Sequence, residues 1–544
     1  GIYWKAEVDY LLNNFNDALV GFQQFETMNK SDTLVENSTV DYNIAYSHFK
    51  LKDYNKAGDR FRTFIDSNPQ DRIMFNDSQL RLGDAYFVSS NYNSAISTYN
   101  KVIEAKGIDT DYAHFQRAIS YGFIGKNNDK IIDLTRFLSA YSKSTLRDDA
   151  YYELGNTYVR VDKNDEALET YDNLLKNYKR SSYVPKTLLN QGLIYYNTER
   201  DNQALDKYTR VVNEFPNTEE AKQAVANARQ IYVDLGRVDE YADWVKDIDF
   251  VNVTDADLDN DMYESAEKQY LQNNRKKAIP AFKKYIERFP NGIHSLRANF
   301  YLGESLFSED QQSQTENYYS YVINQERNEF TEQALSRLAQ VYLEGNNWIK
   351  AMPILERLEE QADFPQNITF AQSNLMKGHY ELEHYEDAVV YAEKVLQRSK
   401  LENRVKSDAK VIIARSAFKT GDEVKAEEAY KEVEKIATGE LKAEAIYYDA
   451  YFKNKDGNYK VSNTVVQKLV ADYSAYKYFG AKGLIVMAKN FYELRDAYQA
   501  TYILENVTNN FSEFKDVTDE AKAELQRIKT EEAKTNESVN PDEN

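Results

Sequence analysis

Small, apolar and aromatic residues recur along this chain at a spacing of 36–39 residues, from its first residues almost to its last. A small residue marks the start of a second helix in most units, and a second small residue often lies twelve positions earlier. An aromatic residue often lies three positions before this marker, and a bulky residue lies four after it. Two helices approach closely only where side chains are small, while large side chains fill the space beside the contact. The pattern therefore predicts about fourteen helical hairpins, each contacting mainly its neighbours. The markers are Ala18, Ala57, Ala95, Ile131, Ala167, Ala204, Tyr241, Ala278, Thr315, Ala351, Ala388, Ala426, Ser462 and Ala500.

The motifs inside single units identify the kind of repeat. They include Leu82-Gly83-x-x-Tyr86 followed by Tyr92-x-x-Ala95-x-x-x-Tyr99, and Leu154-Gly155-x-x-Tyr158 followed by Ala167-x-x-x-Tyr171. This pattern resembles the tetratricopeptide repeat over roughly residues 1–512. The resemblance implies an all-α, right-handed α-solenoid with a C-terminal capping helix. It also implies that the first helix of each hairpin, helix A, lines a concave surface.

The ends of several second helices carry a further resemblance. Two of them read Glu-Phe-Pro-Asn at 214–217 and Arg-Phe-Pro-Asn at 288–291. This phrase is similar to bacterial envelope repeat proteins, such as the Tol-Pal-associated periplasmic protein and the outer-membrane-assembly lipoproteins. The stretch from Tyr263 to Gly292 resembles long multi-repeat envelope proteins of the Bacteroidota. These resemblances imply a periplasmic or cell-envelope location, with a cytoplasmic location as the alternative.

Composition narrows the class of partner. The chain has 544 residues, a formal net charge of −20 and no cysteine, which excludes disulfides and thiol catalysis. The negative charge argues against nucleic acid and against anionic lipid surfaces. The longest apolar runs, such as 483–488, are far too short to span a bilayer. We therefore expect protein partners, no nucleic acid and no membrane span in this chain.

The sequence also predicts how the chain is divided. Residues 1–246 form an N-terminal solenoid half of about seven repeats, and 262–512 form a C-terminal half of about seven. An acidic loop or bend at 247–261 separates them, a capping helix occupies 513–529, and 530–544 is a disordered tail. The chain opens inside a helix A with no polar capping residue before it, so we expect that it starts within a longer protein.

Chemical motifs are scarce. Asp255, Asp257 and Asp259 resemble the opening of an EF-hand loop, but Asn260 replaces the turn glycine and Ala266 stands where the bidentate Glu should be. We interpret this segment as a solvated loop, with calcium as an open alternative.

Histidines offer little more. His379 and His384 are five residues apart, a spacing that places two imidazoles on different faces of one helix, so the sequence predicts no shared metal. Phosphate-binding glycine loops and the signatures of metalloproteases and serine hydrolases are also missing from the sequence. The sequence predicts no catalytic residue, no cofactor and no metal site.

The helix A positions fifteen, eleven and eight residues before each marker are the candidate binding surface. Aromatic residues recur at the outer two positions and polar ones at the middle position. Tyr supplies amphipathic contact area at low entropy cost, although such rings can also pack between neighbouring A helices. We expect the run from Tyr263 to Phe307 to stay accessible because it follows the acidic bend. The candidates are Tyr42, Phe49, Phe87, Tyr152, Tyr196, Tyr263, Glu267, Tyr270, Phe300, Glu304, Phe307, Tyr380, Phe418, Tyr447 and Tyr492.

Three functions fit this surface. The first is a non-catalytic scaffold of the bacterial cell envelope that holds partner proteins on its aromatic concave face. The second is a holdase or assembly factor for outer-membrane or secreted clients. The third is the helical arm of a cell-wall enzyme whose catalytic domain is not in this chain.

Overall fold

The computed structural model describes residues 1–29, 34–107 and 109–537, and over these residues the protein is all-α. It contains twenty-nine α-helices and two single 3-10 turns, and no strand occurs within the described ranges. From Ile2 to Val245 and again from Arg275 to Glu537, each α-helix packs against the next along the chain, which confirms the predicted α-solenoid. No described helix combines the length and apolarity that crossing a membrane requires. The chain divides into two compact units, Gly1–Ser265 and a second that begins at Ala266, and each is described by itself.

Hairpins are numbered from the N-terminus, and each consists of a helix A followed by a helix B. Unit 1 contains seven complete hairpins. Its helices are α1 Ile2–Leu11, α2 Phe15–Met28, α3 Val40–Lys50, α4 Tyr54–Asp66, α5 Arg72–Val88, α6 Tyr92–Ala105, α7 Thr110–Phe123, α8 Asn127–Ala140, α9 Arg147–Arg160, α10 Asn164–Asn177, α11 Val184–Asn197, α12 Asp201–Glu214, α13 Glu219–Leu235 and α14 Val238–Val245.

Hairpins 8 to 14 and a final unpaired helix complete the chain, with α15 containing the division between the units. The helices are α15 Asp255–Leu271, α16 Arg275–Arg288, α17 Ser295–Ser308, α18 Glu316–Ile323, α19 Thr331–Glu344, α20 Trp348–Gln361, α21 Pro365–Glu381, α22 Tyr385–Leu396, α23 Asn403–Lys419, α24 Glu423–Ile436, α25 Gly439–Lys455, α26 Tyr459–Asp472, α27 Lys477–Glu493, α28 Ala497–Asn510 and α29 Lys515–Glu537.

All fourteen hairpins turn from helix A to helix B through the same backbone motif. One residue adopts a left-handed conformation, and the N–H of the next residue donates to the carbonyl five positions earlier, as from Asp53 to His48 at 2.9 Å. This is the Schellman motif, which satisfies carbonyls at the end of helix A and brings together the side chains at the two ends of that hydrogen bond. The left-handed residues are Asn13, Lys52, Ser90, Gly125, Asp162, Glu199, Gly236, Asn273, Asp310, Asn346, Glu383, Gly421, Gly457 and Arg495.

The positions of the turns show that one of the predicted marker residues is wrong. In thirteen hairpins the marker lies five residues after the left-handed residue, but in hairpin 4 that place belongs to Lys130, not Ile131. The Lys130 side chain is buried along most of its length and its ammonium donates to Glu153 Oε2 at 2.6 Å. A lysine was not expected there because the position usually takes a small residue, yet a long side chain can cross the apolar contact and place its charge outside.

The predicted close approach of helix A to helix B is confirmed where the small residue is glycine. A Cβ atom built on Gly83 would lie 2.6 Å from Tyr99 Cε1, so only glycine leaves room for the ring. Four hairpins repeat this arrangement, and their pairs are Gly83 with Tyr99, Gly155 with Tyr171, Gly192 with Tyr208, and Gly303 with Tyr319.

The tyrosines of these pairs carry a polar handle as well as a ring. In three of the hairpins the hydroxyl donates to the residue that follows the glycine, as from Tyr99 to Asp84 Oδ1 at 2.8 Å. Burial, with the carboxylate of Asp84 next to the hydroxyl, raises the pKa of Tyr99. In hairpin 6 the acceptor position holds Leu193 instead. The ring contact is therefore common to the four pairs, whereas the hydrogen bond is not.

The loop in the acidic segment is shorter than the predicted loop at 247–261. Helix α15 begins at Asp255, so residues 255–261 are helical and not part of the expected loop. The N–H of Thr254 donates to Asp257 Oδ2 at 2.8 Å, and the N–H of Asp257 donates to Thr254 Oγ1 at 3.2 Å. This reciprocal pair is a capping box, and it starts the helix inside the acidic stretch.

The C-terminal helix is longer than expected. Helix α29 packs through Val517 and Ile528, as predicted for a cap, but it continues to Glu537 and so includes most of the segment predicted as a tail. Glu, Lys and Ala dominate this segment and are good helix formers. The hydroxyl of Tyr492 donates to Glu531 Oε2 at 2.9 Å. The remaining residues of the predicted tail, 538–544, lie outside the described residues.

Candidate protein-binding surface

The fifteen candidate residues on the A helices are all buried or partly buried, and Tyr263, Phe300 and Tyr447 are the most enclosed. Two of the rings fifteen positions before a marker, Tyr152 and Phe300, stack on the aromatic residue that precedes the next helix A. Tyr152 stacks on Tyr183 with ring centroids 4.5 Å apart. Offset stacking of this kind adds to the energy of burial. For most candidates, packing between repeats is therefore their first role.

In four hairpins the ring eight positions before the marker packs across the Schellman turn onto an aromatic ring that opens helix B. Phe87 and Tyr92 have centroids 5.6 Å apart in a nearly perpendicular arrangement. This contact holds the two helices together where their backbones meet. It recurs in Tyr10 with Phe15, Phe49 with Tyr54, and Tyr380 with Tyr385.

The run expected to stay accessible in unit 2 is covered. Tyr270 lies between Tyr301, stacked at 4.5 Å, and the guanidinium of Arg275 at 3.9 Å from the ring centroid. Phe307 is covered by Arg337 at 4.3 Å. Tyr263, in unit 1, and Phe300 are buried. The expectation of accessible rings in this run is wrong, because the next hairpin covers Tyr270 with Tyr301 and Phe307 with Arg337, and Arg275 of the same hairpin covers the other side of Tyr270.

Glu304 has structural partners within unit 2. Its carboxylate accepts from the Tyr319 hydroxyl at 2.7 Å, from Arg337 Nε at 3.1 Å and from Gln333 Nε2 at 2.8 Å. Burial and this carboxylate raise the pKa of Tyr319. Glu304 therefore ties helix B of hairpin 9 to the next helix A. Glu267, the other acidic candidate, is partly buried and also has interactions in the structure.

The remaining candidates make local contacts of the same kind. The Tyr196 hydroxyl donates to Asp234 Oδ2 at 2.9 Å. Phe418 packs edge-on against Tyr448 at 4.9 Å. The ring of Tyr447 lies 4.9 Å from that of Tyr448. None of these side chains converges on a catalytic arrangement.

Unit 1 contains an open groove on its first A helices. The groove encloses about 360 Å³ and lies between α1, α3 and the first turn of α5. Of its lining residues, Glu7 alone carries a charge. The lining consists of Glu7, Tyr10, Leu11, Tyr42, Asn43, Tyr46 and Met74. Mostly apolar walls with a few polar groups are typical of a ligand-binding groove.

The two tyrosines on α3 are held rigidly. The hydroxyls of Tyr42 and Tyr46 both donate to Asp77 Oδ2, the first at 2.9 Å, and Arg81 Nε donates to the Tyr46 oxygen at 3.1 Å. Burial and the Asp77 carboxylate raise the pKa of Tyr46 to about 12, so its hydroxyl stays protonated at neutral pH. Because both rings are fixed by this acid, they form a preorganised wall for the groove.

Leu11 forms the exposed rim of the groove, with 75% of its surface exposed. This exposure is a property of its position, because Leu271, at the equivalent place in hairpin 8, is 73% exposed. Both residues lie seven before the marker, at the end of a helix A. Leu271 does not line the groove. Substitutions at Leu11 and Leu271 can therefore distinguish an effect of the groove from an effect of surface exposure alone.

A second apolar patch lies at the turns of hairpins 3 and 4. Phe123 is 59% exposed and stacks on Tyr92 with centroids 4.7 Å apart and planes within 8°. Phe87 completes this aromatic triad at 5.4 Å from Phe123. Exposed aromatic clusters of this kind mark interaction surfaces more often than scattered apolar residues do.

Sequence reasoning missed part of the groove. Tyr10 occupies the same position as Phe49 and Phe87, eight before its marker, so the rule that selected them also selects Tyr10. Leu11 and Met74 lie outside the three chosen positions. Their role follows only from the space between three hairpins, which a single repeat does not reveal.

One group of side chains could hold a metal. His379 lies in the last turn of α21, and His384 is the residue before α22. The two imidazoles therefore do not share a helix, and the expectation that they point to different faces of one helix is wrong. Their ring centroids are 5.9 Å apart, because they occupy the two ends of the Schellman hydrogen bond. Burial lowers the pKa of His379, with Asp387 opposing this shift.

At 255–261 the helical backbone replaces the loop that an EF-hand needs.

Comparison with known proteins supports the repeat class. The family described as tetratricopeptide repeat matches residues 39–71, 149–181, 186–218 and 262–292. These repeats support membership of the tetratricopeptide-repeat superfamily and a protein-interaction scaffold, a class that is generally non-catalytic. A search of curated proteins found no match.

Three solved structures match the chain at low sequence identity. The crystal structure of MamA is 21% identical and covers 33% of this chain and 96% of its own, with a TM-score of 0.28. The structure of Naa15/Naa10 bound to HypK-THB is 11% identical and covers 99% and 97%, with a TM-score of 0.32. A tetratricopeptide repeat protein from Parabacteroides merdae is 14% identical and covers 56% and 98%, with a TM-score of 0.22.

Proposed function

We propose that the protein is a non-catalytic scaffold that binds an extended segment of a partner protein in the groove of hairpins 1 to 3. The observation that carries this proposal is the open, rigid, aromatic groove between α1, α3 and α5. Equivalent rings in unit 2 are covered by their own neighbours.

The chemistry of the groove indicates the kind of segment. Tyr10, Tyr42 and Leu11 offer apolar contact, and Tyr is enriched among residues that dominate binding energy. Glu7 is the charged lining residue and favours a Lys or Arg on the partner. The partner segment we propose therefore carries bulky apolar side chains together with a basic residue. The exposed triad around Phe123 extends the apolar surface within the same unit.

The location we propose is the bacterial cell envelope. The Phe-Pro-Asn helix ends at 215–217 and 289–291 support it through their similarity to envelope repeat proteins, and the lack of cysteine agrees with it. Fractionation of the source cells, with the protein detected by antibody, should recover it with periplasmic or outer-membrane markers. Recovery with cytoplasmic markers would overturn the location without affecting the groove.

The binding proposal is tested by matched charge insertions. Leu11→Glu and Leu271→Glu place the same carboxylate at equivalent, equally exposed positions, one on the groove and one away from it. Quantitative affinity purification from the source cells should show at least a tenfold loss of the major partner for Leu11→Glu and none for Leu271→Glu. Equal recovery by both variants would reject the groove as the binding site.

A further inference from the structure

We propose that His379, His384 and Asp387 bind a divalent transition-metal ion, Zn²⁺ in the first instance, at the turn of hairpin 11. One ligand atom from each residue can be chosen so that all three lie within 4.8 Å of one another. Within the described part of the chain this is the one group of three such residues. Two imidazoles and a carboxylate match zinc chemistry, and three protein ligands leave a fourth position open.

The backbone explains why these side chains meet. His379 accepts at its carbonyl from the N–H of His384 at 2.8 Å, the hydrogen bond of the Schellman turn. Asp387 lies three residues after His384, in the first turn of α22, and so on the same side. Residues from two helices are thereby held at one corner by a backbone motif that all fourteen hairpins share.

The side chains are poised for a ligand. The imidazole of His379 is only 12% exposed and stacks on Tyr391 with centroids 5.2 Å apart, which fixes its orientation. Its buried Nδ1 has no hydrogen-bond partner within the described chain, and it lies 3.9 Å from Asp387 Oδ2. A buried polar atom without a partner is costly and calls for a physical reason.

The required adjustment is small. Ligand atoms around a tetrahedral zinc ion lie about 3.4 Å apart, given metal–ligand distances of about 2.1 Å. His384 and Asp387 are exposed, so rotation of their side chains can shorten the present distances while His379 stays in place.

Hairpin 2 provides an internal comparison. Its equivalent residues are His48, Asp53 and Lys56, with His48 Nδ1 3.6 Å from Asp53 Oδ2 and the Lys56 ammonium 3.0 Å from the same oxygen. There the carboxylate is already neutralised by a fixed cation. An ammonium at the place of Asp387 excludes a metal ion by repulsion, so hairpin 2 is a matched site that should not bind.

The test is isothermal titration of the untagged full chain with ZnCl₂, because a histidine tag would bind the same ion. We expect one equivalent in the wild type, at least tenfold weaker binding in His384→Gln and in Asp387→Asn, and no change in Asp53→Asn. Cobalt(II) should give the visible ligand-field bands of a tetrahedral site in the wild type only. Since both substituted ligands are exposed, circular dichroism should show that the variants are folded.

Two results would overturn the proposal. One is the lack of stoichiometric binding by the wild type, and the other is equal affinity in the wild type, His384→Gln and Asp387→Asn. A gain-of-function variant sharpens the comparison. In the double variant Asp53→His with Lys56→Asp, hairpin 2 acquires the ligand set of hairpin 11, and the stoichiometry should rise from one to two. A stoichiometry of one would show that the turn alone does not build the site, and would count against the proposal.

Discussion

Hairpins 1 and 8 carry Tyr and Leu at the same two positions near the end of helix A, but Tyr10 lines an open groove, whereas Tyr270 is covered by its neighbours. Tyr10 and Tyr270 occupy one position, and Leu11 and Leu271 the next. The difference comes from the following hairpin. Fourteen positions before its marker, hairpin 2 has Asn43, whereas hairpin 9 has Tyr301, stacked on Tyr270 at 4.5 Å. Whether a groove is open in this solenoid therefore depends on neighbouring repeats taken together.

The largest expected effect concerns the glycine–tyrosine packing of hairpin 9, the hairpin whose Tyr301 covers Tyr270. Gly303→Leu should destabilise hairpin 9 by about 1–3 kcal/mol or more, because a Cβ would already lie 2.7 Å from Tyr319 Cε1. Thermal or chemical unfolding should show an earlier or split transition, since repeats couple mainly to their neighbours.

Gly480→Ala is the control for this prediction. A Cβ at Gly480 meets nothing within 4 Å, and the residue is helical, so alanine should stabilise by up to about 1 kcal/mol. Unfolding curves in which both substitutions shift the midpoint in the same direction would contradict the packing account.

The next effect separates structural from accessible acids. Glu304→Ala leaves a buried tyrosine hydroxyl and Arg337 without their carboxylate, which should cost about 1–3 kcal/mol of stability. Glu7 occupies the same position in hairpin 1, where it is partly exposed and accepts from Asn43 Nδ2. Glu7→Ala should therefore cost less than about 1 kcal/mol by chemical denaturation. A loss of stability for Glu7→Ala as large as that for Glu304→Ala would contradict this difference between the two carboxylates.

A smaller free-energy change is expected from filling the groove. Asn43→Tyr gives hairpin 2 the residue that closes the equivalent space in hairpin 9. Affinity for the partner that wild-type protein captures should fall at least tenfold, equivalent to about 1.4 kcal/mol. The control is Tyr301→Phe, which keeps the ring in unit 2 and should leave that affinity unchanged. Undiminished binding by Asn43→Tyr would contradict the explanation that the residue at this position decides whether the groove is open.

The smallest effect is electrostatic. Glu7→Gln should slow association with a basic partner segment and reduce the salt dependence of binding, with little change in dissociation. Surface plasmon resonance at two salt concentrations measures both rates. A change confined to the dissociation rate would place Glu7 inside the contact instead of at its rim.

The repeats could be predicted because their rule is local. Gly83 and Tyr99 must be small and large at a fixed spacing, whatever the neighbouring hairpins contain. The marker position of Lys130 was not predicted because the rule expects a small residue there. The flexible Lys130 side chain instead crosses the contact and places its ammonium beside Glu153. The start of α15 was missed because the Thr254 capping box lies inside an acidic run that is typical of loops.

The functional surfaces were harder to predict because they need contacts between elements. His379 and His384 seemed incompatible on a single helix, yet the Schellman turn brings them together. The groove depends on Asn43, because this side chain is small enough to leave the space beside Tyr10 open. Its residue type alone does not indicate this effect. Its importance appears only after comparison with Tyr301 in hairpin 9.

The central claim is that partner proteins enter the groove of hairpins 1 to 3. The most direct measurement is photo-crosslinking in the source cells, with benzoylphenylalanine placed at Leu11 or at Leu271, two equally exposed and equivalent positions. The account predicts a discrete protein adduct from position 11, identified by mass spectrometry, and none of comparable yield from position 271. Adducts of equal yield from both positions, or an adduct from position 271 alone, would contradict it.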